Sequence, residues 1–272
     1  MTFDEIHALA DLVRRRSGVI VDVDKTYVIE TRLAAVARRA GFTTIGELIR
    51  ELMHKRDETL TWSVVEAIAS TETQFFRDRT PFQQMRDDIL PALAARRSGP
   101  VKIWSLGCST GQEPYSLAML ADEEGGRHPG MKLEILGGDL SERCLEKANS
   151  GLYTQFEVQR GLPARLLVKY FDKIDDAWVL DPRIRHAVQL SRLNLLTDIR
   201  GSGPFDVIFC RNVLSSFDPP TRKAVLERLA GVLATDGYLM LGINETVASP
   251  AFRAQPDKQG LYVRDPAFQA AA

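Results

Sequence analysis

The chain has 272 residues, 44% hydrophobic and 26% charged, with 19 glycines and 13 prolines, which excludes collagen-like, low-complexity and largely disordered chains. Its 35 lysines and arginines against 36 aspartates and glutamates exclude a bulk attraction to nucleic acid or to an anionic membrane, leaving only local patches. No apolar run approaches the roughly 20 residues that span a bilayer.

From the N-terminus, residues 4–16 are amphipathic and stop at Ser17-Gly18. Residues 31–40 place Leu33, Val36, Ala37 and Ala40 at helical spacing, with Gly41 as the C-cap. Residues 44–54 and 58–69 repeat that spacing, and no strand alternation appears before residue 100. Residues 1–76 are therefore expected to form a helical module. A further helical stretch, 81–97, runs into the breaker Ser98-Gly99-Pro100. Beyond it strands and helices alternate: strand Val101-Lys-Ile-Trp-Ser-Leu106, a Gly-containing turn, helix 114–124, strand 132–139, helix 141–149, strand Phe205-Asp-Val-Ile-Phe-Cys210, helix 219–234 and strand 237–242. That order predicts βαβ units and a mostly parallel α/β sheet. Two β-like runs, 177–180 and 186–190, flank Asp181-Pro182 and predict a hairpin inserted at about 165–192.

In an open parallel sheet ligands bind at the carboxyl ends of the strands. The turn Gly107-Cys-Ser-Thr-Gly111 follows the first strand, and its glycines allow close backbone approach to a ligand. It is neither GxGxxG nor a phosphate loop, since no lysine follows. Asp139 ends the next strand, where a carboxylate can accept both hydroxyls of a ribose. Together they suggest an adenosine ligand whose charged part is not a pyrophosphate. A plain glycine turn beside an exposed aspartate reads the same residues equally well.

The chain also carries, in order, Thr71-Glu-Thr-Gln-Phe-Phe-Arg-Asp78, Trp104-Ser-Leu-Gly-Cys-Ser-Thr-Gly-Gln-Glu-Pro-Tyr-Ser116, Gly138-Asp-Leu-Ser141, Asn194-Leu-Leu196 and Phe205-Asp-Val-Ile-Phe-Cys-Arg-Asn-Val213. With these five motifs it resembles the bacterial chemotaxis receptor methyltransferases of the CheR type, nearly end to end. The resemblance implies a Rossmann-like class I S-adenosylmethionine-dependent methyltransferase domain at 77–272, with an inserted small antiparallel β-subdomain, behind an all-α N-terminal domain. It implies S-adenosylmethionine as donor, S-adenosylhomocysteine as product, and glutamate 5-O-methyl esters on chemoreceptor signalling helices, serving chemotaxis adaptation. Cofactor contacts carried over by motif are Thr73, Arg77, Glu113, Asp139, Asn194, Leu195, Arg211 and Asn212, with Thr71 standing where the family more often has Asn. Asp139 would hold the ribose, Asn194 and Leu195 the adenine, and Glu113 the methionine amino group. Arg77 would face the transferred methyl or the incoming carboxylate and act as the catalytic residue. Arg32, Arg38 and Arg39 lie in an acid-free stretch that, in the family, docks on an acidic receptor surface, although a solvated basic face is the bland alternative.

Two departures carry expectations of their own. Ser216 replaces the tyrosine thought to line the methyl site, which leaves open a chain that binds the cofactor and signals without catalysis. The insert is shorter than in relatives that grip a receptor's C-terminal pentapeptide, so recognition is expected to be tether-independent. A dinucleotide oxidoreductase on a similar sheet is disfavoured, since neither GxGxxG nor a placed acid/base histidine is present. Met1-Thr-Phe-Asp-Glu lacks a basic signal segment, and Cys108, Cys144 and Cys210 form no CxxC pair. A cytoplasmic monomer without metal, nucleic acid or membrane insertion is expected.

Overall fold

The computed structural model describes residues 1–268 apart from residues 56, 70 and 248, and its chain divides into two units. The first, Met1–Ser70 with Ser216–Arg222, holds α1 (Phe3–Ser17), α2 (Thr26–Arg39), α3 (Ile45–His54) and α4 (Glu58–Ile68). Polar caps write three of these starts: Thr2 with Glu5 and Thr44 with Glu47 form capping boxes for α1 and α3, and Asp57 accepts the Leu60 N–H at 2.9 Å for α4. Gly18, at φ 77°, ends α1. α2 begins at Thr26 rather than Thr31, because burying Ile29 beside Leu33 outweighs the weak helix propensity of Tyr27-Val28-Ile29. Leu9, Val13, Leu33, Leu48 and Val64 fill the core of this unit. Within it Val19 also bridges Phe217, and the Ile20 N–H donates to the Ser216 carbonyl at 2.8 Å.

The second unit comprises Thr71–Ser215 and Lys223–Ala272. It opens with α5 (Thr80–Gln84), a π-helical turn (Met85–Ile89) and α6 (Leu90–Ala94). There follow β1 (Val101–Leu106), α7 (Gln112–Glu124), β2 (Leu133–Asp139), α8 (Glu142–Ser150), β3 (Leu152–Thr154), α9 (Gln155–Gln159), α10 (Ala164–Tyr170), β4 (Phe171–Ile174) and β5 (Ala177–Leu180). Next come α11 (Pro182–His186), β6 (Val188–Arg192), β7 (Phe205–Cys210), a 3-10 turn (Leu214–Ser216), α12 (Pro219–Val232), β8 (Leu233–Leu241), β9 (Phe252–Ala254) and β10 (Leu261–Arg264), with Ser216–Arg222 grouped in the first unit. The main sheet has the order β6-β2-β1-β7-β8-β10-β9. Its first five strands are parallel, while β10 and β9 close the far edge antiparallel. β7 is buried along its whole length and β1 at all but Lys102, which is why both are predominantly apolar, Ser105 and Asp206 being the buried polar exceptions. Successive strands run outward from β1 on one side and from β7 on the other, so the turns after β1 and β7 part at the switch point.

The expected hairpin of 177–180 with 186–190 does not form. Asp181 accepts the Arg183 N–H at 2.7 Å and Pro182 takes the first helical position, so Asp-Pro starts α11 instead of turning a hairpin. β5 pairs with β3 and β4 in a separate three-stranded antiparallel sheet, and β6 joins the main sheet beside β2. Thr71–Phe76 groups with the second unit rather than with the helical module. Phe75, fully buried, meets Tyr153 and Phe171 edge-on with ring centroids 5.1 and 5.6 Å away.

Below the sheet, Arg97 donates to Asp206 at 2.6 Å and to both oxygens of Asp236, while Asp206 also accepts the Lys102 N–H at 2.8 Å. The Arg97 side chain is 24% exposed and that of Asp206 only 10%. Arg97→Met strands the Asp206 carboxylate, and urea denaturation should show a loss of about 2 to 3 kcal/mol, less than for a fully buried pair because Arg97 keeps some solvent.

Candidate functional site

The turn after β1 is built by backbone geometry. The Gly107 and Cys108 N–H groups both donate to the Gly138 carbonyl, at 2.8 and 3.1 Å, which ties this turn to the end of β2. Gly107 (φ 65°) and Gly111 (φ 92°) sit in the left-handed region. A Cβ on Gly107 would lie 2.5 Å from Val213, and one on Gly111 would lie 2.7 Å from Tyr115. The room these glycines provide is therefore occupied by the chain itself, which corrects the expectation that they clear space for a ligand.

Asp139 joins the two turns. One carboxylate oxygen accepts the Ser109 N–H at 2.7 Å and the other accepts the Ser141 N–H at 2.8 Å. Its carbonyl accepts the Leu193 N–H at 2.8 Å, which brings the stretch after β6 alongside. There Asn194 accepts the Leu196 N–H on its side chain at 3.0 Å, and Leu195 is buried with its carbonyl held by Arg228 at 2.8 Å.

Arg211, the first residue after β7, has a side chain only 1% exposed. It donates to Glu113 at 2.8 Å, to Asp78 at 2.7 Å and to the Arg77 carbonyl at 2.8 Å, over the Phe82 ring at 5.7 Å. Its Nε has no partner among the described residues. Glu113, in the first turn of α7, accepts the Ser105 hydroxyl on its other oxygen at 2.9 Å. Asn212 follows at φ 60°, and its N–H donates to Glu245 at 2.7 Å. Arg77 is half-buried, donating to the Glu72 carbonyl at 3.2 Å. Thr71 enters through its carbonyl, which accepts the Ser109 hydroxyl at 2.8 Å, and Thr73 lies half-buried on the same stretch. Phe76, Asp78, Arg79, Ser109 and Asn212 all adopt positive φ, strain that collects where structure over-determines a functional segment.

In these interlocked turns Asp78 and Glu113 pair with Arg211, while Asp139 and Glu245 accept backbone N–H groups. An excess of carboxylates, one of them at a helix start where a pyrophosphate would otherwise bind, fits a ligand with hydroxyls and a cationic tail. S-adenosylmethionine, with a ribose, an ammonium and a sulfonium, has that chemistry.

Residues 71–259 match the family described as CheR methyltransferase, SAM binding domain, and residues 4–62 match CheR methyltransferase, all-alpha domain. The chain belongs to the CheR methyltransferase family. It is 36% identical over 240 residues to chemotaxis protein methyltransferase 1 of Pseudomonas aeruginosa, covering 86% of this chain and 87% of that one. It is 32% identical over 243 residues to the chemotaxis protein methyltransferase of Escherichia coli, covering 87% and 82% respectively. All the cofactor-side candidates fall inside the CheR SAM-binding stretch, and Arg32, Arg38 and Arg39 inside the all-α one.

Three polar residues of this candidate site receive no role from the sequence: Asp78 and Ser105, which lie inside the quoted motifs, and Glu245, which lies outside them. Asp78 adjoins Arg77 and could have been found by asking what neutralises a buried arginine. Glu245 carries no local signal. Burial pushes the Cys108, Cys144 and Cys210 thiols up from their ordinary range, with nearby carboxylates adding to the effect, which disfavours the thiolate in each. No group of three or more metal-ligating side chains occurs among the described residues.

Proposed function

We propose that this chain methylates glutamate side chains on chemoreceptor signalling helices in the cytoplasm, with S-adenosylmethionine as donor. The match of both stretches to one methyltransferase family carries the reading. The donor supplies a methyl group already activated on a positively charged sulfur. Asp139 holds the ribose hydroxyls, Asn194 and Leu195 the adenine, and Glu113 the amino group. Thr71, Thr73, Arg211 and Asn212 complete the wall. A glutamate carboxylate has an ordinary pKa of about 4.3 and reaches the site as an anion, so the residues need remove no proton. Arg77 orients that anion by a bidentate contact, and its work is positional. Ser216 leaves the tyrosine's place without a ring, and nothing in the intact carboxylate and arginine cluster favours a chain that binds without transferring. No helix among the described residues is long and apolar enough to cross a membrane.

Docking falls to α2. Arg32 donates to the Ile68 carbonyl and so completes the C-terminal end of α4. Arg38 and Arg39 are exposed and make no ion pair among the described residues, whereas Arg15, Arg16, Lys25, Arg50 and Lys55 of the same unit do. Two unpaired guanidinium groups on one helix end suit an acidic helical receptor surface, without need of a tether held by the short β3-β5-β4 sheet. Steady-state transfer to a purified receptor cytoplasmic fragment tests this. The wild type should release S-adenosylhomocysteine in step with methyl incorporated, and Arg38→Glu with Arg39→Glu should raise KM for the fragment about tenfold at unchanged kcat. An unchanged KM removes α2 from the docking surface, and a silent wild type removes the methyltransferase reading.

A further inference from the structure

The turn Gly242–Glu245 after β8 places a carboxylate between the ends of β7 and β8. Glu245 is 8% exposed. One of its oxygens accepts the N–H groups of Asn212 (2.7 Å) and Gly242 (3.0 Å), and the other accepts the Ser215 N–H at 3.0 Å. Its own N–H closes the turn on the Gly242 carbonyl at 2.9 Å. No cation neutralises it among the described residues, so this buried anion is held by backbone donors alone. Two of those donors flank the segment Asn212–Ser215, which follows Arg211 directly.

Asn212 lies in the left-handed region, a conformation that is strained for a non-glycine residue and persists where the surroundings enforce it. The short bond to Glu245 enforces it. Gly242 suits the same arrangement: a Cβ there would lie 2.9 Å from the Asn212 side-chain Nδ2, 2.9 Å from the Glu245 carboxylate and 3.2 Å from the Asn212 backbone nitrogen. We propose that Glu245 is a positioning residue that locks Asn212 and the following turn against the end of β8, and thereby sets the cofactor-facing edge beside Arg211. The proposal rests on the reading of Arg211 and Asn212 as cofactor-side residues.

Glutamine at 245 keeps the shape but presents an NH2 group to one set of N–H donors, so one side of the lock opens. Glycine 242 to alanine attacks the same contact sterically. Three readouts on the full chain decide the matter: amide exchange of the 211–215 segment, affinity for S-adenosylhomocysteine by calorimetry, and the thermal midpoint. Glu245→Gln and Gly242→Ala should each speed exchange of this segment and weaken S-adenosylhomocysteine binding about tenfold. The midpoint should stay within a few degrees of the wild type, and Glu245→Asp should recover part of the affinity. Unchanged exchange and affinity overturn the proposal, as does a collapse of the midpoint with faster exchange throughout the sheet, which marks a merely structural carboxylate. A wild type that binds no S-adenosylhomocysteine overturns the cofactor reading instead, while segment exchange still reports on the lock.

Discussion

Arg211→Met should destabilise the second unit by about 3 to 5 kcal/mol and weaken S-adenosylhomocysteine binding at least 100-fold. Methionine keeps the unbranched apolar stem but leaves Asp78, Glu113 and the Arg77 carbonyl without their shared donor. The two carboxylates, with side chains 23% and 12% exposed, then repel each other in a poorly solvated place. Denaturant titration reads the first effect and calorimetry the second. Arg211→Lys separates charge from geometry. A single ammonium cannot span three acceptors as the planar guanidinium does, so stability should recover in part while affinity stays low. Full affinity in the lysine variant would show that only the charge matters.

Asp139→Asn should lower S-adenosylhomocysteine affinity about 100-fold, close to 3 kcal/mol, with a smaller loss of stability. The carboxylate already takes one N–H on each oxygen, from Ser109 and Ser141. A charge-assisted bond from a ribose hydroxyl to this carboxylate is worth about 1.5 to 3 kcal/mol. Asparagine offers one acceptor oxygen and turns an NH2 towards one of the serine amides. Calorimetry with S-adenosylhomocysteine measures the loss. Affinity within threefold of the wild type would place the ribose elsewhere.

What the residues disclosed follows from how local each signal is. Val101–Leu106 and Phe205–Cys210 are legible because central strands buried on both faces are predominantly apolar. Asp139 is legible because it ends such a strand before a capped helix. The pairing of β6 with β2 is not legible, since Asp181-Pro182 serves equally as a turn or as a helix start and only distant partners decide. The same holds inside the site. Arg211 meets Asp78 across 133 positions, and Asn212 meets Glu245 across 33. Gly107 is recognisable as a special position, but its reason, the Val213 side chain, lies on another strand's turn.

The most direct test is transfer of labelled methyl from S-adenosylmethionine to chemoreceptor signalling fragments, with the label scored as methanol released by mild base. The wild type should place base-labile label on glutamate residues, and Arg77→Ala should lose at least 100-fold in rate while still binding S-adenosylhomocysteine. Base-stable label, or no label from a wild type that binds S-adenosylhomocysteine tightly, would contradict the assignment of this site to carboxyl methylation.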